Sequence, residues 1–185
     1  MYRGRIRRKI FERREKKDFP LIKTLIESRP LLRELIVKLL NPEVLSPKEF
    51  YDRFFNELMD ASEVIIYSPF TNHKRVLEVV NFIKRSKANV TVYTRPEDEF
   101  TGKYAEWQKI NIEELKKVGI NVIVKNMMHE KAVLIDDKIA YFGSLNVLSR
   151  LEEEKRGDYM LRYEGPLVAP LIKEFIESIE FEKNE

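Results

Sequence analysis

An α/β fold is predicted: a mixed, largely parallel sheet flanked by helices, preceded by an N-terminal helical extension. Three observations carry this prediction. From Val64 onward, short runs rich in Val, Ile and aromatics alternate with segments whose apolar residues recur every three or four positions. Two more apolar runs, at 132–135 and 139–142, are separated only by a polar turn. The first sixty residues, by contrast, carry helical spacing and no strand pattern.

The extension, residues 1–60, begins with a basic stretch. Residues 1–17 hold nine Lys/Arg and two Glu, with Tyr2, Ile6, Ile10 and Phe11 interleaved. Ile6 and Ile10 would share one helical stripe, leaving the cations to meet solvent, nucleic-acid phosphates or an anionic surface. Residues 19–40 repeat the helical spacing (Leu21, Ile22, Leu25, Ile26, then Leu31, Leu32, Leu35, Ile36, Leu39) around Arg29-Pro30, which predicts two helices or one kinked helix. Ser46-Pro47-Lys48-Glu49 is a capping box with proline at the first helical position, and starts a helix that continues to Asp60 and buries Phe50, Phe54 and Leu58. The first sixty residues have a net charge of +5, although the whole chain has only +3, so the basic character belongs to the extension.

The second region, residues 61–185, reads strand (64–67), Ser68-Pro69-Phe70 turn, helix with Val76, Leu77, Val80 and Ile83, strand (90–93), polar loop, helix (104–118) stopped by Gly119, and strand (120–124). A hairpin follows, then a charged segment at 150–156, a last strand within 157–163 and an amphipathic helix over 166–181. Strand–helix alternation implies βαβ units, whose ligands sit at the carboxyl ends of the strands. Arg95 falls there, just after a strand, and is a candidate substrate contact; Ser68 reads as turn chemistry. His73, next to Lys74 and Arg75, reads as an exposed helix-start residue, and Trp107, the single tryptophan, as a packing residue.

The hairpin collects the polar residues. His129 and Lys131 are two apart and leave a strand on one face. A two-residue turn at Asp137-Lys138 would set Asp136 opposite Ile139, Lys131 opposite Ser144 and His129 opposite Asn146, with Cβ atoms about 5 Å apart. Asp-Lys is not a preferred two-residue turn, so a register shifted by one stays open. Lysine gives a fixed positive charge, serine and asparagine give neutral donors, and together they suit a tetrahedral oxyanion. Beside them a histidine can attack phosphorus or protonate a leaving oxygen.

His129-x-Lys131-x4-Asp136-x6-Gly143-Ser144-x-Asn146 resembles, in full type and spacing, the signature of the phospholipase D superfamily. The resemblance covers residues 61–185, which would then be a phospholipase D-like catalytic domain. It implies metal-independent phosphodiester chemistry without a cofactor: His129 as nucleophile or acid, Lys131 and Asn146 as phosphate ligands, Ser144 assisting, and Asp136 supporting the structure. Relatives commonly place a glutamate near the start of the last strand to hold the histidine; here the match is Asp158, one methylene shorter. The chain has one motif, and His73-Lys74-Arg75 lacks the spacing for a second. The resemblance therefore points to the single-motif, nuclease-like branch, a homodimer whose subunits share one site through a covalent phosphohistidine. The strand–Ser-Pro-Phe–helix–strand–Thr-Arg-Pro run from Val64 to Pro96 is similar to phospholipase D-like domains attached to helicases, which favours nucleic acid as substrate, DNA ahead of RNA, an endonuclease activity, and a helicase or other DNA-processing partner.

Composition bounds the alternatives. With no cysteine, disulfides and thiolate metal sites are excluded. No apolar run is long enough for a membrane span, and the basic N-terminus lacks a signal-peptide core, so a cytoplasmic location and no stable membrane insertion are expected. Charged residues at 35% with Gln108 as the single glutamine fit a thermophilic source. Two other functions fit the same residues: hydrolysis or transfer of phosphatidyl groups on lipid, and a catalytically idle domain that binds nucleic acid through the motif.

Overall fold

The computed structural model describes residues 41–149 and 157–182. The basic stretch at 1–17, the helices expected over 19–40 and the charged segment at 150–156 lie outside the described residues. Strands β1 (Glu43–Leu45), β2 (Glu63–Tyr67), β3 (Asn89–Thr94), β4 (Asn121–Val124), β5 (Ala132–Ile135), β6 (Ile139–Gly143) and β7 (Met160–Glu164) form one sheet in the order β1-β7-β6-β5-β2-β3-β4. The helices are α1 (Pro47–Asp60), α2 (His73–Arg85), α3 (Lys103–Lys117) and α4 (Val168–Glu182). The sheet is mixed. Parallel pairing joins β2, β3 and β4 through α2 and α3, while β5, β6, β7 and β1 pair antiparallel.

Burial follows the two-residue strand period. Val64, Ile66, Val90, Val92, Val133, Ile135 and Tyr141 belong to one core with Phe50, Phe54 and Leu58 of α1 and Val76, Val79 and Val80 of α2. Ile65, Leu134 and Ala140 alternate with them and are buried too. α4 packs over β5 and β6, with Phe175 set edge-on to Phe142. The capping box forms as read: Ser46 Oγ accepts from Glu49 N–H, and the Glu49 carboxylate accepts from Ser46 N–H at 2.8 Å. Such a cap is worth about 1 kcal/mol. Residues 43–60, grouped by sequence with the extension, supply an edge strand paired with β7 and a helix whose aromatic face lies in the core. Three residues are too few to show a strand period, so β1 left no pattern to read.

The hairpin differs from the two-residue-turn register by one position. Ile135 pairs with Ile139 and Ala132 with Phe142, so the turn holds three residues, Asp136, Asp137 and Lys138. Asp136 takes a left-handed backbone (φ 49°), which aspartate tolerates better than most residues. Its Oδ1 accepts from the N–H groups of Ser62 and Glu63, each at 3.0 Å, and its own N–H donates to Glu63 O. The turn is thus stitched to the start of β2. Lys131 falls opposite Gly143, not Ser144, and His129 and Asn146 lie beyond the paired residues.

Candidate active site

The carboxyl ends of β2, β3, β4 and β6 meet the amino ends of β5 and β7 along one edge of the sheet. His129, Lys131, Ser144, Asn146, Asp158 and Arg95 all come from loops or strand ends at this edge. Asp136 does not: it lies at the opposite end of the hairpin, and its geometry is that of a structural tie.

Backbone anchors aim His129 outward. Met127 is left-handed (φ 53°), and its N–H donates to the Glu99 carboxylate. The next residue, Met128, is turned into the core at 2% exposure, and His129 faces solvent. Arg95 Nε donates to Met128 O at 2.7 Å, and Lys131 Nζ donates to His129 O at 2.7 Å. His129 N–H donates to the Glu130 carboxylate at 2.8 Å, and its imidazole makes no hydrogen bond to a described residue. Arg95, a candidate substrate contact from the sequence, is thus bonded to the histidine loop and also pairs with Glu99 at 3.3 Å.

Lys131 is half-buried. Burial above all holds its ammonium below the usual lysine range; the Arg95 charge pushes the same way, and Glu130 and Asp158 oppose it. Asp158 and Lys131 are therefore electrostatic neighbours. Ser144 Oγ donates to Asp158 Oδ1 at 3.0 Å and accepts from Tyr159 N–H at 3.1 Å, so the Gly-Ser pair pins the start of β7. Gly143 makes that approach possible: a Cβ there would sit 2.3 Å from Tyr159 O. Asp158, expected as the histidine's orienting partner, is bonded to the serine of its own motif.

Asn146 Oδ1 is buried and has no hydrogen-bond partner among the described residues. An orphaned buried amide is costly unless something bonds it. The loop that carries it is clamped on both sides. Tyr51 Oη donates to Val147 O at 2.8 Å, Leu148 N–H donates to Ser68 Oγ at 3.0 Å, and Asn72 N–H donates to Leu148 O at 2.7 Å. Ser68 is thus structural, as its turn position indicated.

One contributor gave no functional signal in the sequence. Gln108 of α3 is buried, and its Nε2 donates to Arg95 O at 2.8 Å and Thr94 Oγ1 at 3.0 Å while its Oε1 accepts from Thr71. It fastens α3 to the strand end that carries Arg95. Its rarity in the sequence was the only mark it bore. His73, at the first position of α2, shares a 3.0 Å hydrogen bond with Asn111 Oδ1. Among the described residues no group of three or more His, Asp or Glu could hold a metal ion, and no helix is long and apolar enough to cross a membrane.

Comparison with known proteins matches residues 55–179 to the family described as "Cardiolipin synthase, PLD-like domain". The chain is 33% identical over 66 residues to cardiolipin synthase B of Salmonella typhi and 35% identical over 65 residues to that of Escherichia coli K12. These segments make up 34% and 33% of this chain and 16% of each relative, so the chain matches about a sixth of their length. Among solved structures it is similar to Nuc of Salmonella typhimurium, described as a phospholipase D family member, with TM-score 0.57 and 18% identity, over 75% of this chain and 93% of that one. NucT of Helicobacter pylori gives TM-score 0.56 and 21% identity over 75% and 94%. The family match spans most of the chain, and the mixed sheet with its flanking helices is that fold: the chain belongs to the phospholipase D-like family.

Proposed function

We propose that the chain is a metal-independent phosphodiesterase that cleaves nucleic acid, as an endonuclease, at a site shared by two subunits. The observation that carries this reading is the contrast between the two histidines. The exposed His129 imidazole has no hydrogen bond to a described residue and neighbours half-buried Lys131, while His73 starts α2 and is bonded to Asn111. One histidine cannot both attack phosphorus and protonate the leaving oxygen, so a second copy supplies the acid. Nuc and NucT are matched over nearly their whole length, and the cardiolipin synthases over a sixth, which supports one copy of this fold as the unit.

In this reading an imidazole nitrogen of His129 attacks the phosphorus in line. The nitrogen–phosphorus bond forms as the phosphorus–oxygen bond to the leaving strand breaks, and the partner's His129 gives that oxygen its proton. The partner's His129, now a base, then takes a proton from water as the water displaces His129 from phosphorus. Lys131 and Asn146 hold the non-bridging oxygens, Ser144 assists with Asp158 behind it, and the reaction needs neither metal nor cofactor. DNA is favoured over RNA, and the setting is the cytoplasm, alongside a helicase or other DNA-processing protein.

Labelled single- and double-stranded DNA and RNA, incubated with excess chelator, test this. Wild type should cleave and His129→Ala should not. Mixing wild type with His129→Ala after subunit exchange separates shared from independent sites: a shared site loses activity as the square of the wild-type fraction. A linear loss would rule it out. A second reading, phosphatidyl transfer at the same site, is favoured by the 33–35% identity to cardiolipin synthase B. Turnover of anionic phospholipid vesicles with nucleic acid untouched would replace the first reading by the second. Salt-sensitive binding of the same nucleic acids without turnover by either protein would leave a binding module.

A further inference from the structure

Trp107 reads from sequence as a packing residue, and the structure places it outside the core. It is 48% exposed, and Tyr104, one turn earlier on α3, is 58% exposed. The two rings meet edge to face, 5.6 Å between centroids at 87°, an arrangement that fixes both and keeps ring surface open. The Lys103 ammonium lies 5.2 Å from the Trp107 centroid and 5.5 Å from that of Tyr104. We propose that Tyr104 and Trp107 form a stacking platform for an unpaired base of the substrate, with Lys103 taking the adjoining phosphate, so that the site prefers a single strand. This rests on the nucleic-acid reading above and deepens it.

Placement comes from α3. The helix starts at the strand-end edge, and Gln108, next to Trp107, donates to Arg95 O, while Arg95 donates to the carbonyl just before His129. Two hydrogen bonds therefore join the platform's helix to the backbone of the catalytic loop. A strand that places its phosphate against His129 can lay a neighbouring nucleotide over α3. The chemistry suits a base better than other occupants. Exposed Lys103, Glu106 and Lys109 flank the rings, and Ile110, one turn beyond Trp107, is 46% exposed as well. Every base has a π-face, so stacking accepts any sequence.

Trp107 is the chain's single tryptophan, so its fluorescence reports the platform alone. The test uses the full-length His129→Ala protein, titrated with a ten-nucleotide oligothymidylate, the matching duplex and anionic phospholipid vesicles. The single strand should quench the emission, and more strongly than the duplex. By anisotropy of a labelled oligonucleotide, adding Trp107→Ala should weaken binding about tenfold, while Trp107→Phe should recover most of it. Absence of quenching by the oligonucleotide overturns the platform. If wild type nonetheless cleaves that oligonucleotide or any of the DNA and RNA substrates above, the nuclease reading stands; if it cleaves none, both fall. A blue shift with vesicles alone, or dissociation of the dimer by Trp107→Ala, also overturns it by giving the rings to lipid or to a second subunit.

Discussion

The two ends of the β5–β6 hairpin carry opposite signs of completion. At the turn end, Asp136 spends its left-handed backbone on three hydrogen bonds that tie β5 to β2. At the open end, the His129 imidazole is exposed and unbonded to any described residue, Lys131 is pushed toward losing its proton, and Asn146 Oδ1 is buried without a partner. The turn end is closed by bonds within the chain, whereas the open end presents groups that a phosphate would suit: an ammonium for its negative charge and an imidazole for its electrophilic phosphorus. Asn146 Oδ1 as placed is an acceptor; the amide turned by 180° would present its N–H₂ to the phosphate, and the two placements differ only in which atom is called oxygen.

If the ends divide the work in this way, substitutions should separate activity from stability. His129→Ala should lower phosphodiester cleavage by at least about 10^3-fold, the loss expected of a nucleophile or acid that acts in a unit. Its melting temperature should stay within about 1 °C of wild type, because an exposed side chain with no partner adds little to the fold. Asp136→Ala should do the reverse. Two backbone N–H groups lose a charged acceptor, and stability should fall by about 2 kcal/mol in urea titration while the isolated folded fraction keeps most of its activity. Equal loss of activity in both variants would dissolve the distinction.

Gly143→Ala tests the join between the two ends and should cost about 2 kcal/mol. The added Cβ meets Tyr159 O, a backbone atom that cannot swing aside, so β7 must move. Because Asp158 and Ser144 are bonded across that contact, activity should fall with stability, unlike in either earlier variant. Unfolding and cleavage assays on one preparation would reveal the coupling, and unchanged values in both would show that β6 and β7 can part without consequence.

Much of this was legible in the sequence. Val64–Tyr67, the helix period after His73 and the Ser46 capping box each announce themselves locally, and the folded chain adds nothing that conflicts. The register of the hairpin was not fixed by pattern, since apolar residues at 132–135 are buried on both faces and a slip by one leaves no exposed hydrophobe to object. What settles it is a bond across 74 residues, from Ser62 N–H to Asp136, which no local pattern reports. The same holds for Gln108, whose partners come from two other elements, and for Trp107, whose helical position marks a face without saying whether anything covers it. The motif spacing singled out the candidate residues; their division into an exposed imidazole, a depressed lysine and an amide oxygen without a partner among the described residues needed the fold.

Arg95 offers the finest test of the open end and the smallest effect. Its guanidinium holds Met128 O and, after burial, is the next influence that depresses Lys131. A lysine with a lowered pKa loses its charge at lower pH than a free one, so the alkaline fall of kcat/KM should begin below the ordinary lysine range. Arg95→Ala removes the second push, and the alkaline fall should move to higher pH. Arg95→Lys retains the charge and loses the Nε bond, so its fall should stay near that of wild type even if kcat drops several-fold from a loosened histidine loop. If Arg95 instead gripped the substrate phosphate, both variants would raise KM at every pH and neither would move the fall. A pH profile of the three proteins therefore distinguishes a residue that tunes Lys131 from one that touches the substrate.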